Sequence, residues 1–411
     1  MKPSTHLPTR MKHLLSFALA TLLFTNLAFS GEKLKIFILA GQSNIVGHAR
    51  AHTTATLFQS SSERDKALTQ LVFKEGSAAS KEALMKQLEA ARALDELTGG
   101  ISMKKVKDMK AGPEKTKLEA EVAKRKEAHE AYKAKINASF VVSDRVYINS
   151  IADRNKKSGK LGTGYGASNE KIGPEYGFGL SIAEKVDGPI LLIKTSWGGK
   201  SINYNFRPPS SGEYQLTEKQ LKKSENVEEV KQNAGLFYRM MNEHVHSVLK
   251  NLKDNHPAYD PKAGYEIAGF VWFQGFNDQF DETFRSNYKD NMINFIKDIR
   301  KEYKTPGMPF VIGVLGTGRT KEKVDENGVS QGQRAAAQHP EFKDNVLSVE
   351  SYKDYSNFSH SVFQKGWPTH YHEWSTVGSD RPYHYLGSGA FFVRLGDSFA
   401  NAMAKLMAKQ H

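Results

Sequence analysis

A three-layer α/β/α fold around a parallel five-stranded sheet is predicted by three features of the sequence. Short, continuously apolar runs bounded by Gly or Pro recur along the chain, as strands covered on both faces require. Amphipathic stretches of helical period stand between them, so that strand and helix alternate. The third feature bounds the size. A chain of 411 residues, 39% hydrophobic and 25% charged, has the composition of a globular protein with room for one large domain or two moderate ones.

The first 30 residues read as a secretory signal peptide. Lys2, Arg10 and Lys12 precede the apolar LLSFALATLLFTNLAFS, and Ala28 and Ser30 offer small residues before Gly31. Ser16, Thr21, Thr25 and Asn26 interrupt the apolar run, which makes it a poor permanent span. A secreted or periplasmic protein with no stable membrane anchor after cleavage is therefore expected, its domain running over 31–411. The chain has no cysteine, so disulfides and thiolate metal sites are excluded. Its net charge is +13, which suits an acidic glycan by general attraction. Basic and acidic residues are interspersed, and no aromatic-interleaved basic motif for nucleic acid is present.

Five strands follow in order. They are KLKIFILA (33–40), GPILLIKT around Leu191, IAGFVWFQ around Val271, MPFVIGVLG (308–316) and DNVLSVES (344–351). Helical patterns cover 174–185, 234–252 and 282–303. A last helix begins near Ser388, with Phe392, Leu395, Phe399, Ala402 and Leu406 on one face. From about 51 to 142 the alternation breaks into Lys/Glu/Ala-rich sequence. Leu84, Leu88 and Ala91 share one helical face there, and Leu118, Val122, Tyr132 and Ile136 share another. This predicts an inserted charged helical hairpin, either docked or projecting.

Four segments end at the same expected sheet edge, where ligands bind in such folds. ILAGQSNIVGHAR (38–50) places Ser43 just past the first strand. IKTSWGGKSI carries Gly198 and Gly199, whose lack of a side chain lets a backbone N–H approach a ligand closely. FVWFQGFNDQ ends in Gln274, Asn277 and Asp278, where a side-chain amide can serve as an oxyanion donor. GSDRPYHYLG holds His384 with Asp380 four residues before it, an imidazole and a carboxylate to orient it. THYHEW offers His370, His372 and Glu373 as metal ligands, but no further ligand is evident and no metal or organic cofactor is expected.

GQSN, GGKSI, GFND and YHYLG stand in the order of the four blocks of SGNH hydrolases, whose sheet is flavodoxin-like. They resemble most the sialate O-acetylesterase-like carbohydrate esterases. The resemblance covers 33–50 and about 173–407. It implies Ser43 as nucleophile, His384 as general base and Asp380 as the orienting acid, with Glu373, Asp354 or a backbone carbonyl as alternatives. It also implies an oxyanion hole of the Ser43 amide, Gly198 or Gly199, and Asn277. Gln42, Gln274 and Arg207 are the expected substrate-binding residues. The chain departs from the family at two places. Phe276 stands where the carbohydrate-esterase branch more often has glutamate, and Arg381 stands where the family's aspartate usually lies. The implied activity is a secreted serine esterase that removes O-acetyl groups from an oligo- or polysaccharide, acidic ones included. The alternative is a non-catalytic glycan-binding protein on the same fold.

Overall fold

The computed structural model describes residues 31–222 and 226–410, so the signal-peptide reading lies outside the described residues. All five expected strands are present. They are β1 (Leu34–Gly41), β4 (Ile190–Ser196), β5 (Tyr265–Phe273), β6 (Phe310–Val314) and β7 (Val346–Glu350). The sheet, however, has seven strands and not five, because β2 (Val146–Ala152) and β3 (Asn155–Lys160) extend one edge. The physical reason is their composition. VYINSIA alternates buried and half-buried residues, and NKKSGK has no apolar side chain, so neither forms a continuous apolar run.

The spatial order is β3-β2-β4-β1-β5-β6-β7, parallel throughout except for the β2–β3 hairpin. β1 is central. Its side chains alternate between two cores, as the strand period of two requires. Phe37 and Leu39 join one core with Phe178 and Phe399, from α4 (Pro174–Ala183) and α9 (Gly389–Met407). Ile36 and Ile38 join the other with Met241 and Phe295, from α5 (Leu236–Lys250) and α6 (Tyr288–Glu302). Three layers result, with the sheet in the middle. Among the described residues no helix is long and apolar enough to cross a membrane.

The charged insert is docked, and it is more than a hairpin. A 3-10 stretch (Ala51–Gln59) leads into α1 (Glu63–Val72), α2 (Lys81–Thr98) and α3 (Pro113–Ala138), with a short helix at Lys104–Asp108. Leu84, Leu88, Ala91, Val122 and Ile136 are buried, as their helical spacing predicted. α2 is bonded to α8 (Tyr371–Val377): Asp95 accepts the amides of His372 and Glu373, both at 2.9 Å, and Arg92 pairs with Glu373 at 2.7 Å. The insert thereby braces the segment that leads into Asp380.

Candidate active site

The sheet grows from β1 toward β4 on one side and returns on the other as β5. The crevice beyond the carboxyl ends of β1 and β5 is therefore the topological switch point, the usual ligand position in open α/β sheets. GQSN lies there. Gly41 has φ 153°, and a Cβ on it would fall 2.2 Å from the Phe273 carbonyl oxygen. Glycine is thus required for β1 to end this close to β5. Ser43 begins a one-turn helix (Ser43–Val46) and is 7% exposed. Its amide is among those with no acceptor inside the helix. Beneath this turn, fully buried Lys194 donates to the Val46 carbonyl at 2.9 Å and pairs with Glu175 at 2.7 Å.

Gln42 organises the next side chain. It is 1% exposed, and its Oε1 accepts the amides of Gly275 (3.0 Å) and Asn277 (3.3 Å) and the Gln274 side-chain amide (3.1 Å). Three donors on one atom fix which end of the amide is oxygen. The other end, Nε2, donates to Asn277 Oδ1 at 3.2 Å. Asn277 is therefore held by its carbonyl, which leaves Nδ2 to donate outward. Gly199 borders it: a Cβ on Gly199, where φ is 69°, would lie 4.0 Å from Asn277 Nδ2. The neighbouring Gly198 amide is committed to Asp153 Oδ1 at 2.6 Å, so of the two glycines Gly199 is the one available to a ligand.

A buried carboxylate clips these loops together. Asp278 accepts the amides of Ile202 and Asn203, both at 3.1 Å, and the Gln274 side-chain amide at 2.5 Å. Burial pushes its carboxyl up to about 7, against the pull of those bonds.

The imidazole arrives from the far end of the chain. Asn44 Nδ2 donates to the Tyr383 carbonyl at 3.2 Å, tying the Ser43 turn to the loop that carries His384. His384 Nδ1 lies 3.0 Å from Asp380 Oδ1. A carboxylate only accepts, so Nδ1 carries the proton and Nε2 is the basic nitrogen. Burial alone would raise the Asp380 carboxyl. Hydrogen bonds from His384, His48 and the Arg381 amide outweigh it and hold Asp380 well below the usual carboxylate range. Asp354 and Glu373 are engaged elsewhere: Asp354 takes Arg64 and Ser398, and Glu373 takes Arg92 and Lys365.

His48, which sequence reasoning did not place in the site, shares this carboxylate. Its ring stacks on His384 with centroids 4.0 Å apart and planes 4° from parallel, and its Nδ1 is 3.5 Å from Asp380 Oδ2. Burial lowers its pKa below the ordinary histidine value, despite the hydrogen bond to Asp380. His48, Asp380 and His384 are metal-competent donors whose ligand atoms lie within 4.8 Å of one another. The THYHEW residues do not gather in this way, since Arg92 and Lys365 occupy Glu373.

The expected substrate contacts need correction. Gln42 and Gln274 are buried, and their amides are spent on the protein itself, because three loops meet at this strand edge and must satisfy one another's polar groups. Arg207 staples its own loop, donating to the carbonyls of Asn203 (3.1 Å), Ser211 (2.6 Å) and Gly212 (3.0 Å). Sequence gave a signal for the first two only in their position at strand ends, which does not separate presenting a ligand from positioning a neighbour.

Fold and site define a layered α/β protein whose switch point gathers the Ser43 turn, the Asn277 amide and the Asp380–His384 pair. Over residues 152–353 the chain matches the family of carbohydrate esterases described as sialic acid-specific acetylesterase. The resemblance to this esterase group drawn from the sequence is borne out. The matched stretch contains Gly199 and Asn277, and Ser43 and His384 lie outside it. No curated protein matches the chain. Among solved structures, a protein from Arabidopsis thaliana is similar at 16% identity, over 90% of this chain and 98% of that one, with a TM-score of 0.42. A carbohydrate acetylesterase from Xanthomonas citri is similar at 13% identity, over 79% of this chain and 51% of that one, with a TM-score of 0.38. NanS is similar at 10% identity, over 78% of each chain, with a TM-score of 0.36. Likenesses this distant carry no argument about activity.

Proposed function

We propose that the protein is an exported serine esterase that removes O-acetyl groups from a carbohydrate through an acyl-enzyme. The observation that carries this reading is the Asp380–His384 pair, anchored to the nucleophile turn by the Asn44–Tyr383 bond. The family match supports a carbohydrate ester as substrate. In the proposed cycle Ser43 Oγ attacks the ester carbonyl and its proton passes to His384 Nε2. The oxyanion is held by the Ser43 and Gly199 amides and Asn277 Nδ2. Collapse expels the sugar alkoxide, which takes the proton from His384. Water then attacks the acetyl-serine, again through His384, and releases acetate.

The test is acetate release from a panel of neutral and acidic acetylated glycans, together with labelling by a fluorophosphonate probe. Ser43→Ala is expected to abolish both. If the wild-type protein neither takes the probe at Ser43 nor releases acetate, the esterase reading is wrong. Retained glycan binding under those conditions would favour the non-catalytic alternative.

A further inference from the structure

Of the large apolar side chains among the described residues, Phe280 is the most exposed, at 68%, and Tyr383 is 44% exposed. An isolated exposed aromatic side chain needs no explanation. These two are joined. Phe276, half-buried, packs against Phe280 with ring centroids 5.1 Å apart and against Tyr383 at 5.7 Å. The three rings form one row, and two of its members adjoin the reaction centre. Phe276 directly precedes Asn277, and the Tyr383 ring lies 4.6 Å from that of His384. The row therefore bridges the oxyanion side and the base side of the site. Its outer end is open to solvent. Trp197 and Trp272, by contrast, are buried and unavailable for stacking.

We propose that Phe280, Phe276 and Tyr383 are the sugar-stacking subsite of this enzyme, receiving the C–H face of a pyranose ring whose acetyl group reaches Ser43. The inference rests on the esterase reading and adds the part of the substrate that the leaving group belongs to. A pyranose ring offers a flat array of C–H groups that an aromatic row shields from water, while its hydroxyls stay solvated at the rim. Such apolar linings with few polar groups are the common construction of small-molecule sites. A small ester such as triacetin offers no ring face, so it gains nothing from the row. Phe276 stands where the resembled esterases more often carry glutamate, so the row is a feature of this chain.

The experiment compares Phe280→Ala and the conservative Phe280→Trp with wild type. The substrates are acetylated xylo-oligosaccharide, O-acetylated sialyllactose and triacetin. Phe280→Ala is expected to raise KM for the hydrolysed oligosaccharide ~3- to 10-fold. Its kcat, and both constants for triacetin, should stay unchanged, and Phe280→Trp should retain the wild-type KM. Equal effects on triacetin and oligosaccharide, or none on any substrate, overturn the subsite. In a Ser43→Ala background, calorimetric binding of the same oligosaccharides should weaken by the same factor when Phe280→Ala is added. That arm reads the subsite without turnover. Loss of acetate release by wild type with binding still dependent on Phe280 would sink the esterase reading alone.

Discussion

The structure makes Gln42 a positioning residue, and Gln42→Met tests this. Methionine has nearly the same volume, so the change removes polar atoms without opening a cavity. Two backbone amides, those of Gly275 and Asn277, lose their acceptor in a site that is 1% exposed at Gln42. Each unsatisfied amide costs about 1–3 kcal/mol, so a loss of about 2–6 kcal/mol is expected, against usual total stabilities of about 5–15 kcal/mol. The catalytic consequence is separate. Without Gln42 Nε2 the Asn277 amide is free to rotate, and its outward donor is no longer aimed. Loss of one oxyanion donor reduces kcat by ~10²–10³.

Gln42→Met should therefore lower kcat by about 10², with little change in KM, in an acetate-release assay run below the variant's unfolding transition. The decisive measurement is the double-mutant cycle with Asn277→Ala. If Gln42 acts by aiming Asn277, the double variant is no slower than Asn277→Ala alone, because the aimed group is already gone. Multiplicative losses would refute the reasoning, since Gln42 would then serve transition-state binding by some route other than Asn277. Urea unfolding of the same variants keeps the stability effect apart from the kinetic one.

Two further outcomes follow from the site and its support. Asp380→Asn should drop kcat by ~10³–10⁴, as loss of the orienting carboxylate does in serine-hydrolase triads, while probe labelling at Ser43 slows without vanishing; an unchanged kcat would remove Asp380 from the mechanism. Where the insert meets α8, burial lowers the pKa values of His52, His129 and His372 to about 4, about 3 and about 4. These groups are neutral in the folded protein while the unfolded chain takes up protons below pH 6.5, so stability falls as pH drops from 6.5 toward 4, by at most about 1.4 kcal/mol per pH unit for each. Denaturant unfolding at pH 7 and pH 5 measures the slope, His52→Gln should flatten it, and a pH-independent midpoint would contradict it.

What the sequence made legible follows from the kind of signal each element carries. Four of the five strands expected from apolar runs are buried over most of their length, and burial on both faces is what writes such runs into a sequence; the edge strand β7, half-buried after Val346, is the exception. The β2–β3 hairpin was missed because Asn155–Lys160 is a polar edge strand. That omission hid Asp153, at the hairpin turn, and with it the reason Gly198 is occupied and Gly199 is not. Ser43, Asn277 and His384 were legible as chemically suited residues at strand ends. His48 was not: nothing in a linear sequence shows that two imidazoles 336 positions apart will stack and share one carboxylate. Nor did spacing show that the polar side chains of Gln42 and Asp278 are turned inward to hold loops, because a strand-end glutamine looks the same whether it faces substrate or protein.

The aspartate's displaced position has a structural answer. Asp380 stands four residues before His384, with Arg381 where the resembled family usually has its acid, yet the carboxylate reaches Nδ1. Chain spacing does not set that distance; loop closure does. The Leu386 carbonyl accepts the amides of Ser379 (2.9 Å) and Asp380 (3.2 Å), and the Leu386 amide returns to the Arg381 carbonyl (3.0 Å), so residues 379–386 form a closed ring. Closing it puts Tyr385 and Leu386 at φ 50° and 64°, a left-handed pair that costs about 1–3 kcal/mol at each residue. Packing offsets this cost. Tyr385 is stacked on Phe391 at 3.9 Å, and its hydroxyl is bonded to the Gly316 amide and Ser351 Oγ, both at 2.9 Å, while Leu386 is fully buried. The strained backbone is thus fixed by core contacts, and His384, which directly precedes the pair, inherits its orientation from them. A one-residue shift of the acid is tolerated because one closed ring carries both partners and sets them at bonding distance.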